Sequence, residues 1–370
     1  MNDTLGIIMT GFGDSVLGEL TQVRARAALP ICGRYRLIDF TLSNMVNSGI
    51  TNVGVPTTTH YRSLMDHLGS GKEWDLNRKL YGLFILPPYI NRETADTCGD
   101  IDILNGVMDY LVRSKQKYVL LTGSNSIYNT DYSFLKDFHI AHGADITVLT
   151  TKNPNYLSAP TGVQLNCGTD CKVKEIELGA ASFRDPQSSM GVYFLEKELL
   201  CRAISRCVTR GHHDFIRDIL LHGADELNVY ACPFNGHVGL IESVSSYMRE
   251  SKALLEPAVY AEIFNPRNPI FTKVKDQIPT IYGPNAVVRN SIIADGCTIN
   301  GTVENSIIFR GVEVSEGSIV SNSIVMQQSQ IQKGVLLDCA ILDKSVVVRH
   351  NKRLIGQESY PIVIGKNAMV

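Results

Sequence analysis

Gly11 and Gly13 follow the short apolar run Leu5–Met9. A glycine-bearing turn after a buried strand is one way to offer backbone N–H groups to phosphate oxygens, and it is equally the composition of an ordinary tight turn. Further on, Arg24, Arg26, Arg34 and Arg36 place four guanidinium groups within 13 residues. Such a cluster either binds an anion or meets an acidic partner surface, or it is spent structurally on Asp39 and neighbouring acids. Asp131 and Tyr132 follow an apolar segment and either serve a site or cap and pack a strand end. Ser189 and Gly191 stand at a strand-like run that ends in Val192-Tyr193. Cys167 and Cys171 are close, but no second pair at metal-ligand spacing accompanies them. The adjacent His212-His213 reads as a helix start or surface feature rather than a metal site.

The elements that would position these residues alternate along the first 250 positions. Gly6–Met9, Ile50–Val55, Tyr118–Thr122 and Asp145–Thr150 are short apolar, β-branched runs separated by helical patterns such as Phe40–Asn47. That alternation predicts βαβ units and a mainly parallel sheet. Ligands of such sheets bind beyond the carboxyl ends of the strands, here the turns after Met9, Leu121 and Val192.

The 370 residues are 44% apolar and 19% charged, with 35 Lys+Arg against 37 Asp+Glu. At roughly 100–200 residues per domain this length predicts two or three domains, each with its own core. A net charge of −2 supplies no electrostatic footprint for nucleic acid or an anionic membrane. No run approaches 18 apolar residues, and the N-terminal apolar run is too short for a secretory signal. The nine scattered cysteines then read as reduced thiols of a cytoplasmic protein.

Near residue 261 the character changes. Pro266, Pro269, Pro279 and Pro284 punctuate a stretch that cannot hold a long helix, which predicts a linker over 261–280 between domains at 1–260 and 281–370. In the last domain Ile308, Val314, Val320, Val325, Ile331, Leu337, Leu342 and Val348 recur at spacings of 6, 6, 5, 6, 6, 5 and 6. Asn-Ser-Ile repeats at Asn290, Asn305 and Asn322, with Cys339-Ala340-Ile341 in phase. No α-helix or flat sheet carries that period. A left-handed parallel β-helix does, each coil stacking its inward aliphatic residue on the next.

The segments Arg24–Pro30, Gly33–Phe40, Leu42-Ser43-Asn44 and Asn47–Ile50 closely resemble the glucose-1-phosphate adenylyltransferase (ADP-glucose pyrophosphorylase) family. So do Gly71–Leu76, Tyr128 with Asp131-Tyr132, Ser189–Tyr193, Asp214-Phe215 and Tyr282–Val288. The resemblance covers nearly the whole chain in order. It implies an α/β, nucleotidyltransferase-like (Rossmann-like) mixed-sheet domain followed by the hexapeptide β-helix. It also implies a pocket for ATP and glucose 1-phosphate.

The departures from that family concern charge. Its catalytic members carry a Gly-Gly-x-Gly-x-Arg-Leu loop, matched here by Gly11-Phe12-Gly13-Asp14-Ser15-Val16-Leu17, so the arginine becomes Val16. The family's two Mg²⁺-holding aspartates match Asn125 and Leu240. Its sugar-phosphate lysine matches Gly179, and a lysine of its Arg-Ala-Lys-Pro-Ala motif matches Arg26. Mg²⁺ wants anionic oxygen ligands; losing its charge stabilisation would slow the reaction by about three or more decades. The combined pattern resembles the non-catalytic, GlgD-type subunits of bacterial glycogen biosynthesis. It implies a regulatory chain with no Mg²⁺ site, acting in a hetero-oligomer, expected as a hetero-tetramer, with a catalytic subunit. Gly11, Gly13, Arg24, Arg26, Arg36, Asp131, Ser189 and Gly191 are the candidates for a retained substrate or anionic-effector pocket. Two alternatives stand beside this reading. One is an active adenylyltransferase with an atypical metal site, for which Glu242 is the nearest substitute ligand. The other is a hexapeptide-repeat acyltransferase, disfavoured because the repeats contain only His350.

Overall fold

The computed structural model describes residues 1–10, 14–57, 60–87, 99–223 and 226–370. The N-terminal part is built on a nine-stranded mixed sheet. Its strands are β1 (Thr4–Ile8), β2 (Asn52–Pro56), β3 (Gly82–Leu86), β4 (Tyr118–Thr122) and β5 (Ile146–Thr151). They continue with β6 (Val163–Cys167), β7 (Val173–Leu178), β8 (Gln187–Glu196) and β9 (Val229–Pro233). The order β7-β6-β8-β4-β1-β2-β3 forms the main path, and β5 joins β8 to β9. β1, β2 and β4 are buried along their whole length, as continuous apolar runs covered on both faces should be.

The strands β4, β1, β2 and β3 run parallel. β8, in contrast, is antiparallel to β4, β5 and β6. The turn expected beyond Val192 therefore does not exist, because β8 continues to Glu196. Its beginning, not its end, lies beside the carboxyl end of β4. Hydrophobic pattern alone cannot give strand direction, so this reversal was invisible in the sequence.

Helix α1 (Leu37–Asn47) starts where the Asp39 carboxylate accepts the Arg36 backbone N–H at 2.9 Å. It is buried from Leu37 to Met45 and forms the centre of the domain. The last helix before the repeats, Pro257–Ile263, precedes an extended stretch that reaches the first repeat strand, Ile281–Tyr282.

From there to Ile364 the chain forms three parallel sheets of five short strands, a parallel β-helix. All eight periodic aliphatics from Ile308 to Val348 are fully buried in one core. The Asn-Ser-Ile repeat has a physical basis in the coil corner. Asn290, Asn305, Asn322 and Cys339 all adopt positive φ, between 41° and 49°, which asparagine tolerates better than most residues. The following serines form a ladder: the Ser323 N–H donates to Ser306 Oγ and the Ala340 N–H to Ser323 Oγ, each at 3.1 Å.

The two parts meet through a shared apolar seam. Leu29, Ile31, Leu37 and Phe40 pack in one cluster with Ile307, Phe309, Ile324 and Met326 of the coils. Within this region Arg24, 2% exposed, pairs with the fully buried Asp343, its Nη2 lying 2.8 Å from both carboxylate oxygens.

Candidate functional site

A cavity of about 710 Å³ opens beyond the carboxyl ends of β1 and β4, where Met9, Leu121 and Thr122 contribute to its wall. Past β4 the chain turns through Gly123, Ser124 and Asn125, all of which line it. The next two residues, Ser126 and Ile127, pair antiparallel with Gly239 and Leu240, and the Ile241 N–H donates to the Asn125 carbonyl at 2.9 Å. This ribbon sets Asn125 and Leu240, 115 positions apart in sequence, side by side on the cavity wall. Between them they offer one neutral amide oxygen, the Asn125 Oδ1, on which the Ser126 hydroxyl stands at 3.4 Å. That donor set does not suit a hard divalent cation.

The start of β8 forms the next part of the wall. Its pairing with β5 slips between Ser189 and Val192, and Gly191 takes φ +70° inside that bulge. The Ser189 Oγ accepts the Gly191 N–H at 3.1 Å, while the Gly191 carbonyl accepts the Gly123 N–H at 3.2 Å. A bulge re-aims a strand locally, and here it joins Ser189 and Gly191 to the loop after β4. Arg26, at the head of the short turn Arg26–Ala28, also lines the cavity.

The remaining candidates lie elsewhere. Arg24 is buried in the pair with Asp343. The Arg36 guanidinium donates to the Ser63 carbonyl at 2.6 Å and to the Ser63 hydroxyl at 2.9 Å. Asp39 pairs with His67 Nε2 at 2.6 Å and not with the arginine side chains. Asp131 accepts the Ser133 N–H at an exposed helix start. Gly179 does not line the cavity; its N–H donates to the Gly162 carbonyl and its own carbonyl accepts from Gln164, just behind the wall. Gly11 and Gly13 lie outside the described residues, as does the side chain of Val16.

Several cavity residues carried no mark in the sequence. Asp100 opens helix α2 (Asp100–Gly106), which is pinned where Asp102 accepts the Gly99 N–H and meets His213 Nδ1 at 2.8 Å. Burial, reinforced by nearby Asp214, pushes the Asp100 carboxyl up to about 6. Glu242, unlike these, is expected from the sequence as the nearest substitute metal ligand; it also lines the cavity, its Oε1 accepting the Thr161 hydroxyl at 2.6 Å. Arg249, on helix α3 (Val244–Ala253), adds a second guanidinium. Tyr156 donates to the Ser126 hydroxyl at 2.6 Å and braces the ribbon. Nothing in the sequence singled out Asp100 or Arg249.

A mixed sheet with its cavity at the strand ends, joined to a hexapeptide β-helix, defines a class of two-domain nucleotide-handling proteins. Residues 5–255 match the Nucleotidyl transferase family and residues 279–360 the GlmU-like, C-terminal hexapeptide family. The chain is 35% identical over 366 residues to the glycogen biosynthesis protein GlgD of Bacillus subtilis (strain 168), covering 99% of this chain and 96% of that protein. It is 37% identical over 320 residues to GlgD of Geobacillus stearothermophilus, covering 86% and 83%. It is also 33% identical over 357 residues to the glucose-1-phosphate adenylyltransferase of Fervidobacterium nodosum, covering 94% and 85%. The chain thus belongs to the glucose-1-phosphate adenylyltransferase family of nucleotidyl transferases, the group that includes these glycogen biosynthesis proteins. Among the described residues no helix is long and apolar enough to cross a membrane.

Proposed function

We propose that this chain is a catalytically impaired, regulatory subunit of a bacterial glucose-1-phosphate adenylyltransferase. The partner would carry out the reaction of ATP with glucose 1-phosphate to ADP-glucose and pyrophosphate. The observation that carries the reading is that Asn125 and Leu240 both line this one cavity, at the positions where the family resemblance calls for two metal-holding aspartates. A neutral amide and an aliphatic side chain give Mg²⁺ no anionic ligand there, so this chain holds no Mg²⁺ of its own and the partner supplies it. The site is dismantled, whereas the scaffold, its domain seam and its repeat core are retained.

Regulation would act through a hetero-oligomer, a hetero-tetramer in the simplest case. An anionic metabolite would bind in the cationic seam between the domains. Support comes from Arg24, whose Nη1 is buried with no partner among the described residues. Lys344 stands close by, lowered to about 7 by burial and by the charges of Arg36 and Arg24. Added negative charge would relieve that crowding.

Mixing tests the assembly. Combined with a catalytic subunit of the family, the chain is expected to co-elute as a larger particle and to raise the rate of ADP-glucose formation. Separate elution with an unchanged rate would contradict the regulatory role.

A further inference from the structure

Lys344 stands half-buried in the turn between the repeat strands Ala340–Leu342 and Val347–Val348. The residue before it, Asp343, reaches across the domain seam to Arg24. That carboxylate is fully committed: both oxygens accept from Arg24 Nη2 at 2.8 Å, and Oδ1 also accepts the Lys344 backbone N–H at 2.7 Å. The Lys344 carbonyl accepts the Asn367 N–H at 3.0 Å, which brings Lys366 alongside. Burial, then the charges of Arg36 and Arg24, oppose a charged Lys344 ammonium; the already paired Asp343 offsets them in part, and Lys366 adds to them. With its pKa lowered to about 7, the amine is about half uncharged near neutral pH.

Arg24 brings a second unmet demand. It is 2% exposed, and its Nη1 has no hydrogen-bond partner among the described residues. A buried charged donor without an acceptor is costly. The seam therefore sets an uncharged amine close to a guanidinium that lacks an acceptor. One addition to the amine answers both. Its lone pair attacks the carbon of CO₂, the C–N bond forms, one C=O π pair moves onto oxygen, and the nitrogen gives up a proton to water. Nothing is oxidised or reduced. The product is a carbamate, an anion with two acceptor oxygens, which guanidinium groups hold by charge-assisted hydrogen bonds. Acylation of the same amine would leave a neutral amide and relieve the crowding less.

We propose that Lys344 is a carbamylation site: CO₂ adds to its side-chain amine, and Arg24 and Arg36 hold the resulting carbamate at the seam between the domains. This rests on the reading of the seam as an anion site and supplies the anion from the chain itself. The charge of the seam then follows the level of dissolved CO₂.

The test is ¹³C NMR of the full chain in ¹³C-labelled bicarbonate, followed by trapping of the carbamate as its ethyl ester and peptide mass spectrometry. A carbamate resonance is expected that Lys344→Arg abolishes, while the signal of the N-terminal amine, which also takes up CO₂, stays. Lys344→Met is the second variant should Lys344→Arg not fold. The trapped adduct should lie on Lys344. Arg36→Gln, which removes one holding cation, should lower its occupancy by about threefold or more. Acidifying from about pH 7.5 to about pH 6 at fixed dissolved CO₂ should lower it by about tenfold or more, because the neutral amine is lost. No resonance, a resonance unchanged in both Lys344 variants, or an occupancy indifferent to Arg36→Gln would overturn the proposal. In that event, inorganic phosphate that binds in CO₂-free buffer and is lost in Arg36→Gln would leave the anion-site reading standing; absence of both would sink the two together.

Discussion

Asp100 shows how burial sets the behaviour of one side chain. Its folded-state pKa of about 6 lies above the ordinary 3.8, because desolvation and Asp214 both disfavour the charged form. The folded protein therefore holds this proton more tightly than the unfolded chain does. The resulting stability is fully present below about pH 3.8 and is lost as pH rises through about 6. Asp100→Asn should remove that loss and leave the variant about 1–3 kcal/mol more stable than the parent at pH 7. Urea midpoints from pH 4 to 7.5 check it: the difference between the two proteins should grow with pH, and parallel curves would contradict the account. Asp100 also marks the limit of sequence reading. Nothing in its neighbours' types announces that α2 will point its first carboxyl at the cavity. Asn125 and Leu240, by contrast, could be singled out because the family resemblance predicts charged partners at those positions.

At the scale of elements, Arg24 changes role between sequence and structure. Four arginines in a short segment suggested a ligand pocket or local ion pairs, yet Arg24 reaches a carboxylate 319 positions away and ties the sheet domain to the β-helix. Such a contact depends on the docking of two domains, which no local pattern encodes. Removing one partner of a buried pair leaves an uncompensated charge. Arg24→Ala should accordingly cost about 3–5 kcal/mol in urea unfolding. The double variant Arg24→Met with Asp343→Leu should recover most of that loss. A single variant as stable as the parent would mean that the pair contributes nothing to the seam. The β-helix was the most legible element, since its 17-residue turn places Val320, Leu337 and Leu354 in consecutive coils of one sheet. The direction of β8 was the least legible, because antiparallel and parallel strands share one apolar pattern when both faces are buried.

For the whole molecule, the two-domain architecture, the cavity at the strand ends and the repeat core all follow from periodicities and motifs that can be read along the chain. What periodicity cannot supply is the charge balance inside the cavity, which depends on residues contributed by seven or more separate segments. There the near-neutral chain of 35 basic and 37 acidic residues acquires local meaning. Two arginines and two acids line the cavity among the described residues, and Asn125 and Leu240 line it at the positions where the family resemblance implies a pair of metal-holding carboxylates. A scaffold kept intact around a disarmed centre is the account's central claim. The most direct test is the rate of ADP-glucose formation by the isolated chain with ATP, glucose 1-phosphate and Mg²⁺. A rate about a thousandfold or more below that of a catalytic subunit in the same assay is predicted; a rate within about tenfold of it would contradict the claim.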